Sequence, residues 1–248
     1  MSFLRKSREA TFLFIIGAMK SGTTSLAGAL KKHPDIALGS NKEPNFFADR
    51  GRKMETLEDY LSGFDGRARY CLDASTAYAK HPGFGPCAHN IRRQFPDARY
   101  IYLMRDPVAR IESQLAHQVS RHPEQFADFE ARGETLAFYR PLLNVSSYAL
   151  QLDQYRPEYE SGRIFLSSFE SMIGNENVFW EGLWTFLGLR VPRKRIILEK
   201  RNPRRQDVSD VRQIRLSESA RAMLREALKD DMERLHREYG VDVSAWGF

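Results

Sequence analysis

Apolar residues fall in short unbroken runs separated by amphipathic stretches, as expected when parallel strands are covered by helices on both faces. The strongest run, 11–16 (Thr-Phe-Leu-Phe-Ile-Ile), is β-branched and aromatic and predicts a central strand. A helix is expected from about Gly22 to His33, where Pro34 stops it. The piece 36–38 reads as a short strand, 57–64 as a short helix and 69–73 as a second strand. A helix over 87–95 and a turn at Pro96-Asp97 lead into 100–104, the clearest strand after the first. Asp106 is a good helix N-cap and Pro107 a good first helical residue. Val108, Ile111, Leu115 and Val119 carry that helix on at helical spacing. The polar stretch 118–140 is expected to be helical in parts, 148–155 helical, and 163–168 another strand. An amphipathic helix over 178–187 should close on Gly188 as its C′ residue, and a last helix should span 216–239. The pattern predicts one α/β domain over 1–248 with a central parallel sheet.

The turn after the first run carries the densest chemistry. Gly17, Lys20, Ser21, Gly22, Thr23, Thr24 and Ser25 combine two glycines, a cation and four hydroxyls in nine positions. A helix beginning near Gly22 aims its free N–H groups and positive dipole end at an anion. Gly17-x4-Gly22 has Walker A spacing, but Thr23 stands where the loop lysine of a nucleotide triphosphatase belongs, and the lysine has moved to position 20. Asp106 invites a reading as a magnesium-holding Walker B acid, yet Arg105 before it and Pro107 after it favour a helix start. The alternative function these features leave open is a P-loop kinase or nucleotidase using ATP and magnesium.

Composition narrows the picture further. The 248 residues are 42% hydrophobic, enough for one sizeable domain, and carry a formal net charge of +6. That balance suits an anionic ligand. The arginines are scattered, with no basic tail and no zinc-finger, RNP or helix-turn-helix signature, so nucleic acid is not the expected partner. The two cysteines, Cys71 and Cys87, make neither a metal site nor a disulfide framework. Reduced thiols and a cytoplasmic setting are expected. The basic start before an apolar run lacks a small-residue cleavage site, and no stretch reaches the length of a membrane span.

Further candidates lie at loop and strand ends. In Lys42-Glu43-Pro44-Asn45-Phe46-Phe47, Pro44 disfavours helix at Glu43, so the loop can project a carboxylate beside a reacting hydroxyl. By spacing alone it also reads as an exposed Lys-Glu pair anchored by two phenylalanines. Asp73, Ser75 and Thr76 sit at the end of the second strand, where open α/β sheets bind ligands; they read equally as a capping cluster. Arg105 ends a strand, and Ser113 lies eight residues on, about two helical turns away. Lys200, Arg201, Arg204 and Arg205 form a basic loop. His117 and His122 stay outside the catalytic set, because a lone histidine is more often a packing or surface residue.

Met19-Lys20-Ser21-Gly22-Thr23-Thr24 resembles the 5′-phosphosulfate loop (P/R-K-S/G-G-T-T) of sulfotransferases that use 3′-phosphoadenosine-5′-phosphosulfate (PAPS). Lys42, Glu43, Phe46 and Phe47 match the K-E-x-x-F-F segment of the carbohydrate-type members, and Tyr100 to Ser113 resembles their 3′-phosphate-binding segment. Phe169-Glu170 is similar to their Y-E-D-L continuation, and 241–248 to the D-x-S-x-W ending of bacterial members. The resemblance implies a P-loop-containing three-layer α/β/α fold and a bacterial enzyme with PAPS as donor, adenosine 3′,5′-bisphosphate as product and no metal. It implies Lys20 and Glu43 as catalytic residues, Glu43 as the general base. The donor would be held by Lys20, Ser21, Gly22, Thr23, Thr24, Ser25, Arg105, Ser113 and the basic loop of Lys200, Arg201, Arg204 and Arg205. The acceptor, a carbohydrate or other small molecule, would meet Lys42, Phe47, Asp73, Ser75, Thr76 and Tyr148. The segment Asp73 to Tyr78 departs from the family's E-K-T/S-P-x-Y: Asp73 replaces the glutamate, and Ala74 the acceptor-binding lysine.

Overall fold

A computed structural model describes residues 10–52, 54–121, 135–192, 198 and 216–248. Among them a parallel sheet runs in the order β2-β3-β1-β4-β5. The strands are β1 (Thr11–Gly17), β2 (Ile36–Leu38), β3 (Tyr70–Asp73), β4 (Arg99–Met104) and β5 (Ile164–Ser168). Thr11 lies opposite Tyr70 and Phe14 opposite Asp73, while on its other side β1 sets Phe14 against Tyr100. From β1 the chain fills one side of the sheet with β2 and β3, then crosses to fill the other with β4 and β5. The C-terminal end of β1 is therefore the point where strand order reverses, and a crevice opens there in sheets of this kind.

Side chains alternate across the sheet and feed two cores. Phe12, Phe14, Ile16, Tyr100 and Tyr102 point to one face; Leu13, Ile15, Leu72, Ile101 and Leu103 point to the other. Each face is closed by helices. On the first lie α2 (Leu57–Ser62), α3 (Cys87–Gln94), α4 (Pro107–Arg121), α5 (Leu136–Ser146) and α6 (Tyr148–Asp153). After α6 comes the short α7 (Arg156–Glu160). The second face is covered by α1 (Thr23–Leu30), α8 (Phe169–Gly174) and α9 (Glu176–Leu187). The last helix, α10 (Glu218–Tyr239), returns to the first face. This is the three-layer α/β/α arrangement that the resemblance implies.

Between α10 and α6, the Asp231 carboxylate accepts from the backbone N–H of Ala149 (3.0 Å) and Leu150 (2.9 Å) at the start of α6. Differences from the predicted elements are local. α1 ends at Leu30 rather than His33, since Pro34 disfavours helical geometry at the residue before it. His33 instead accepts from the Asp35 N–H through Nδ1. α5 extends to Ser146 and contains Pro141, so the proline does not end it. Phe169 and Glu170, which resemble the Y-E-D-L continuation after the strand, open α8, capped by Ser168. No helix among the described residues is long and apolar enough to cross a membrane.

Candidate active site

A cavity of about 480 Å³ opens beside the C-terminal end of β1, within the range of small-molecule sites. Met19, Lys20, Gly22, Thr23, Thr24 and Ser25 form its floor. Gly22, which precedes α1, has φ 87°, and a Cβ there would come within 2.8 Å of the Phe169 ring. Both facts demand glycine at this turn. Lys20 also has a positive φ, 72°, a conformation that costs a non-glycine residue energy and that concentrates at functional sites. α1 has no side-chain N-cap bond and no acid in its first turn. The Ser21 hydroxyl is buried without a hydrogen-bond partner. A helix start lacking a capping acid and a buried unpaired hydroxyl on the same turn fit an anion.

The walls come from three other strand ends. The loop after β2 brings Glu43; the 3₁₀ turn Thr76–Ala79 after β3 brings Thr76 and Lys80; α4 after β4 brings Ser113, His117 and Arg121. These three α4 residues are spaced four apart, so one face of the helix lines the cavity. Cations dominate. Burial, with Arg105 and Arg121 nearby, holds the Lys20 ammonium below the usual lysine range. Burial, Lys20 and Arg121 do the same for the His117 imidazolium. Lys80 is lowered by burial and by Arg110, and raised by Glu43. Its ammonium rests 5.1 Å from the Phe84 ring centre. The site therefore carries a surplus of positive charge whose members destabilise one another, and an anion between them would relieve it.

Glu43 accepts from the Lys42 ammonium at 2.5 Å, and its loop is pinned at several points. The Asn41 side chain accepts from the Glu43 N–H (3.2 Å), the Lys42 carbonyl from the Ala74 N–H (3.1 Å), and Ser75 Oγ from the Asn45 N–H (3.0 Å). Ser75 is held in turn by Asp73, whose Oδ1 accepts from the Ser75 N–H (3.0 Å) and hydroxyl (2.6 Å). Tyr60 and Tyr78 donate to Asp73 Oδ2 at 3.0 and 2.8 Å. Asp73, fully buried, thus ties the strand end to the loop that presents Glu43.

Burial pushes the Asp73 carboxyl from 3.8 up to about 6, against the pull of its hydrogen bonds. Because the folded value lies above the unfolded one, protonation stabilises the fold at low pH, and that contribution is lost as pH rises from about 4 through 6. Asp73→Asn should therefore flatten the fall in thermal midpoint between pH 4 and 7, a change on the order of 2–3 kcal/mol. A variant with the wild-type slope would show that another group carries it.

The predicted residues divide clearly. Lys20, Gly22, Thr23, Thr24, Ser25, Glu43, Thr76 and Ser113 share the cavity wall. Ser21 is buried beneath it, and Lys42 meets the site through Glu43. Arg105 is not on the wall: its guanidinium lies 5.0 Å from the Phe169 ring centre and donates to the Lys20 carbonyl at 3.4 Å. Phe47, Asp73, Ser75 and Tyr148, expected to line the acceptor side, are buried behind it. Phe47 stacks edge-on with Phe46 and Tyr60, and Tyr148 donates to the Arg105 carbonyl at 2.7 Å. Asp106 caps α4, accepting from the N–H groups of Val108 (2.8 Å) and Ala109 (3.0 Å). Lys200, Arg201, Arg204, Arg205 and His122 lie outside the described residues.

Lys80 went unrecognised as a site residue, as did Arg121, and His117, set outside the catalytic set, lines the cavity. The helical spacing from Ser113 could have found the latter two. Lys80 gave no signal beyond following the 74–78 segment, and it places an ammonium in the cavity of a chain whose position 74 is alanine.

Residues 47–193, more than half of the chain, match the model of a family described as the sulfotransferase family. The protein belongs to the sulfotransferase family. A solved sulfotransferase from Alicyclobacillus acidocaldarius superimposes with a TM-score of 0.71 at 26% identity, over 94% of this chain and 97% of that one. The sulfotransferase domain of the curacin biosynthetic pathway has a TM-score of 0.57 at 16% identity, which speaks for the fold alone. Among curated proteins, the mouse (Mus musculus) heparan sulfate glucosamine 3-O-sulfotransferase 6 is 29% identical over 202 residues, covering 75% of this chain and 53% of that protein. The bifunctional heparan sulfate N-deacetylase/N-sulfotransferase 1 of Caenorhabditis elegans matches 42% of the chain at 28% identity. The sulfotransferase thus spans about half the length of the first of these, at 53%. Membership of this family does not favour the kinase reading.

Proposed function

We propose that the enzyme moves the sulfuryl group of PAPS to a hydroxyl or amine of a carbohydrate or other small-molecule acceptor, releasing adenosine 3′,5′-bisphosphate. One observation carries the proposal: the anion-fitted loop with Lys20 and the carboxylate of Glu43 line a single cavity. The curated relatives, named for heparan sulfate, favour a carbohydrate acceptor.

In this reading Lys20, Thr23, Thr24 and the N–H groups opening α1 hold the 5′-phosphosulfate. Glu43 takes the acceptor proton as the acceptor oxygen or nitrogen bonds to sulfur. The bond from sulfur to the bridging phosphate oxygen breaks in line, and the charge left on that oxygen falls beside Lys20. Lys80 and Thr76 form the acceptor wall next to Glu43. Arg105 and Ser113, with Lys200, Arg201, Arg204 and Arg205, are assigned to the 3′-phosphate end. Arg105 suits a planar two-point grip on phosphate. The rival reading needs a magnesium-binding acid, and Asp106 is committed to the N-terminus of α4.

Calorimetry decides between the two. Adenosine 3′,5′-bisphosphate should bind without metal and far more tightly than ATP with magnesium; the reverse preference would return the kinase reading. In the same titration Arg105→Ala should weaken the 3′-phosphorylated nucleotide much more than its 3′-dephosphorylated form. Equal loss for both would remove Arg105 from the 3′-phosphate.

A further inference from the structure

Beneath the loop lies a charged side chain that the reading above leaves without a task. Arg110 of α4 is fully buried, with 0% exposure. Its guanidinium donates to Ser146 Oγ at 2.6 Å, to Gln114 Oε1 at 2.6 Å, to the Leu142 carbonyl at 2.9 Å and to the Met19 carbonyl at 3.4 Å. All four acceptors are neutral, and no carboxylate pairs with it among the described residues. Burying a charge against neutral dipoles alone is costly, and the cost falls when an opposite charge comes near. Met19 and Lys20 line the cavity above, so the guanidinium touches the backbone on which the anion would sit. Its field also reaches the cavity, since it disfavours the charged form of Lys80.

We propose that Arg110 is a positioning residue that fixes the 18–22 loop from beneath and supplies a buried, unneutralised positive charge that draws the anionic end of the donor into the cavity. The inference rests on the functional reading above. It assigns to this guanidinium two separable contributions: a fork of hydrogen bonds that knits α4, α5 and the loop, and a net charge. A purely structural fork needs only the first.

Gln114→Glu separates the two. The substitution keeps the shape and the 2.6 Å contact to Arg110, but gives the guanidinium a counter-ion. The free protein should unfold at a temperature no lower than wild type. Its affinity for adenosine 3′,5′-bisphosphate should fall on the order of tenfold, as for loss of one unit charge acting across roughly 10 Å at an effective dielectric of about 20. Two companion variants locate the effect at Arg110 itself: Arg110→Lys, which keeps the charge, should retain more affinity than Arg110→Gln, which does not. Wild-type affinity in Gln114→Glu, or equal affinity in the Lys and Gln variants, would overturn the charge role. If the wild-type protein takes up no bisphosphate, the functional reading falls and this inference falls with it. Uptake by wild type and undiminished uptake by Gln114→Glu would reject the role of Arg110 alone.

Discussion

Glu43→Gln is expected to slow sulfuryl transfer by ~10²–10⁴-fold, the usual contribution of a positioned general base, while adenosine 3′,5′-bisphosphate still binds as in wild type. The amide preserves the size and shape of the side chain but cannot take the acceptor proton. The fold should not register the change. The Lys42–Glu43 pair is partly exposed, 27% and 34%, and such pairs are worth ~0–1 kcal/mol. The loop keeps its register through Asn41, Ser75 and the Ala74 N–H rather than through that pair. The measurement is release of the bisphosphate from PAPS with a glucosamine-containing oligosaccharide as acceptor, run beside calorimetry of the nucleotide. Retained turnover would take the base role from Glu43. His117 would then be next in line, since it shares the cavity and its imidazole is held toward the neutral form.

The loop that carries Glu43 shows where sequence reasoning reached and where it stopped. Strands buried on both faces announce themselves as unbroken apolar runs, so β1 and β4 were legible from composition alone. The phosphate turn was legible because its glycine spacing and hydroxyls are local in the chain. Residue roles that depend on distant partners were not. Asp73 and Ser75 looked like site-lining residues because they sit at a strand end, yet the side chains turn inward. Tyr60 and Tyr78 supply donors for the Asp73 carboxylate, and Asn45 brings a backbone N–H to Ser75. Whether a polar side chain faces cavity or core depends on which donors the fold brings to it, and Tyr60 and Asn45 come from segments far along the chain. Tyr148 illustrates the same limit: an aromatic near the site by motif is a buried support for the Arg105 carbonyl. Arg110 drew no reading of its own within the helix that opens at Pro107, because nothing in its neighbours signals burial without a counter-ion. Lys80 could not be inferred from the motif, since it stands outside the positions at which the family pattern sets its lysine.

Lys20 carries the second large expected effect, and its backbone makes the test sharper than a simple truncation. The residue combines a cation facing the cavity with a left-handed φ of 72°. In that region an L side chain costs ~1–2 kcal/mol, whereas glycine adopts it freely. Lys20→Gly therefore removes the ammonium and the local strain together. Turnover should fall ~10²–10³-fold, the loss typical of deleting one group that stabilises charge developing in the transition state. The thermal midpoint of the free protein should hold or rise, because relief of strain and of repulsion from Arg105 and Arg121 opposes the extra chain entropy of glycine. Lys20→Ala, which keeps the strained backbone, should be equally slow but less stable than the glycine variant. Such a pair of results would show that the fold tolerates an unfavourable conformation in order to place an ammonium beside the leaving oxygen. If the glycine variant were clearly less stable than alanine, chain entropy would outweigh any relief of strain, and the strain would have no part in positioning the charge.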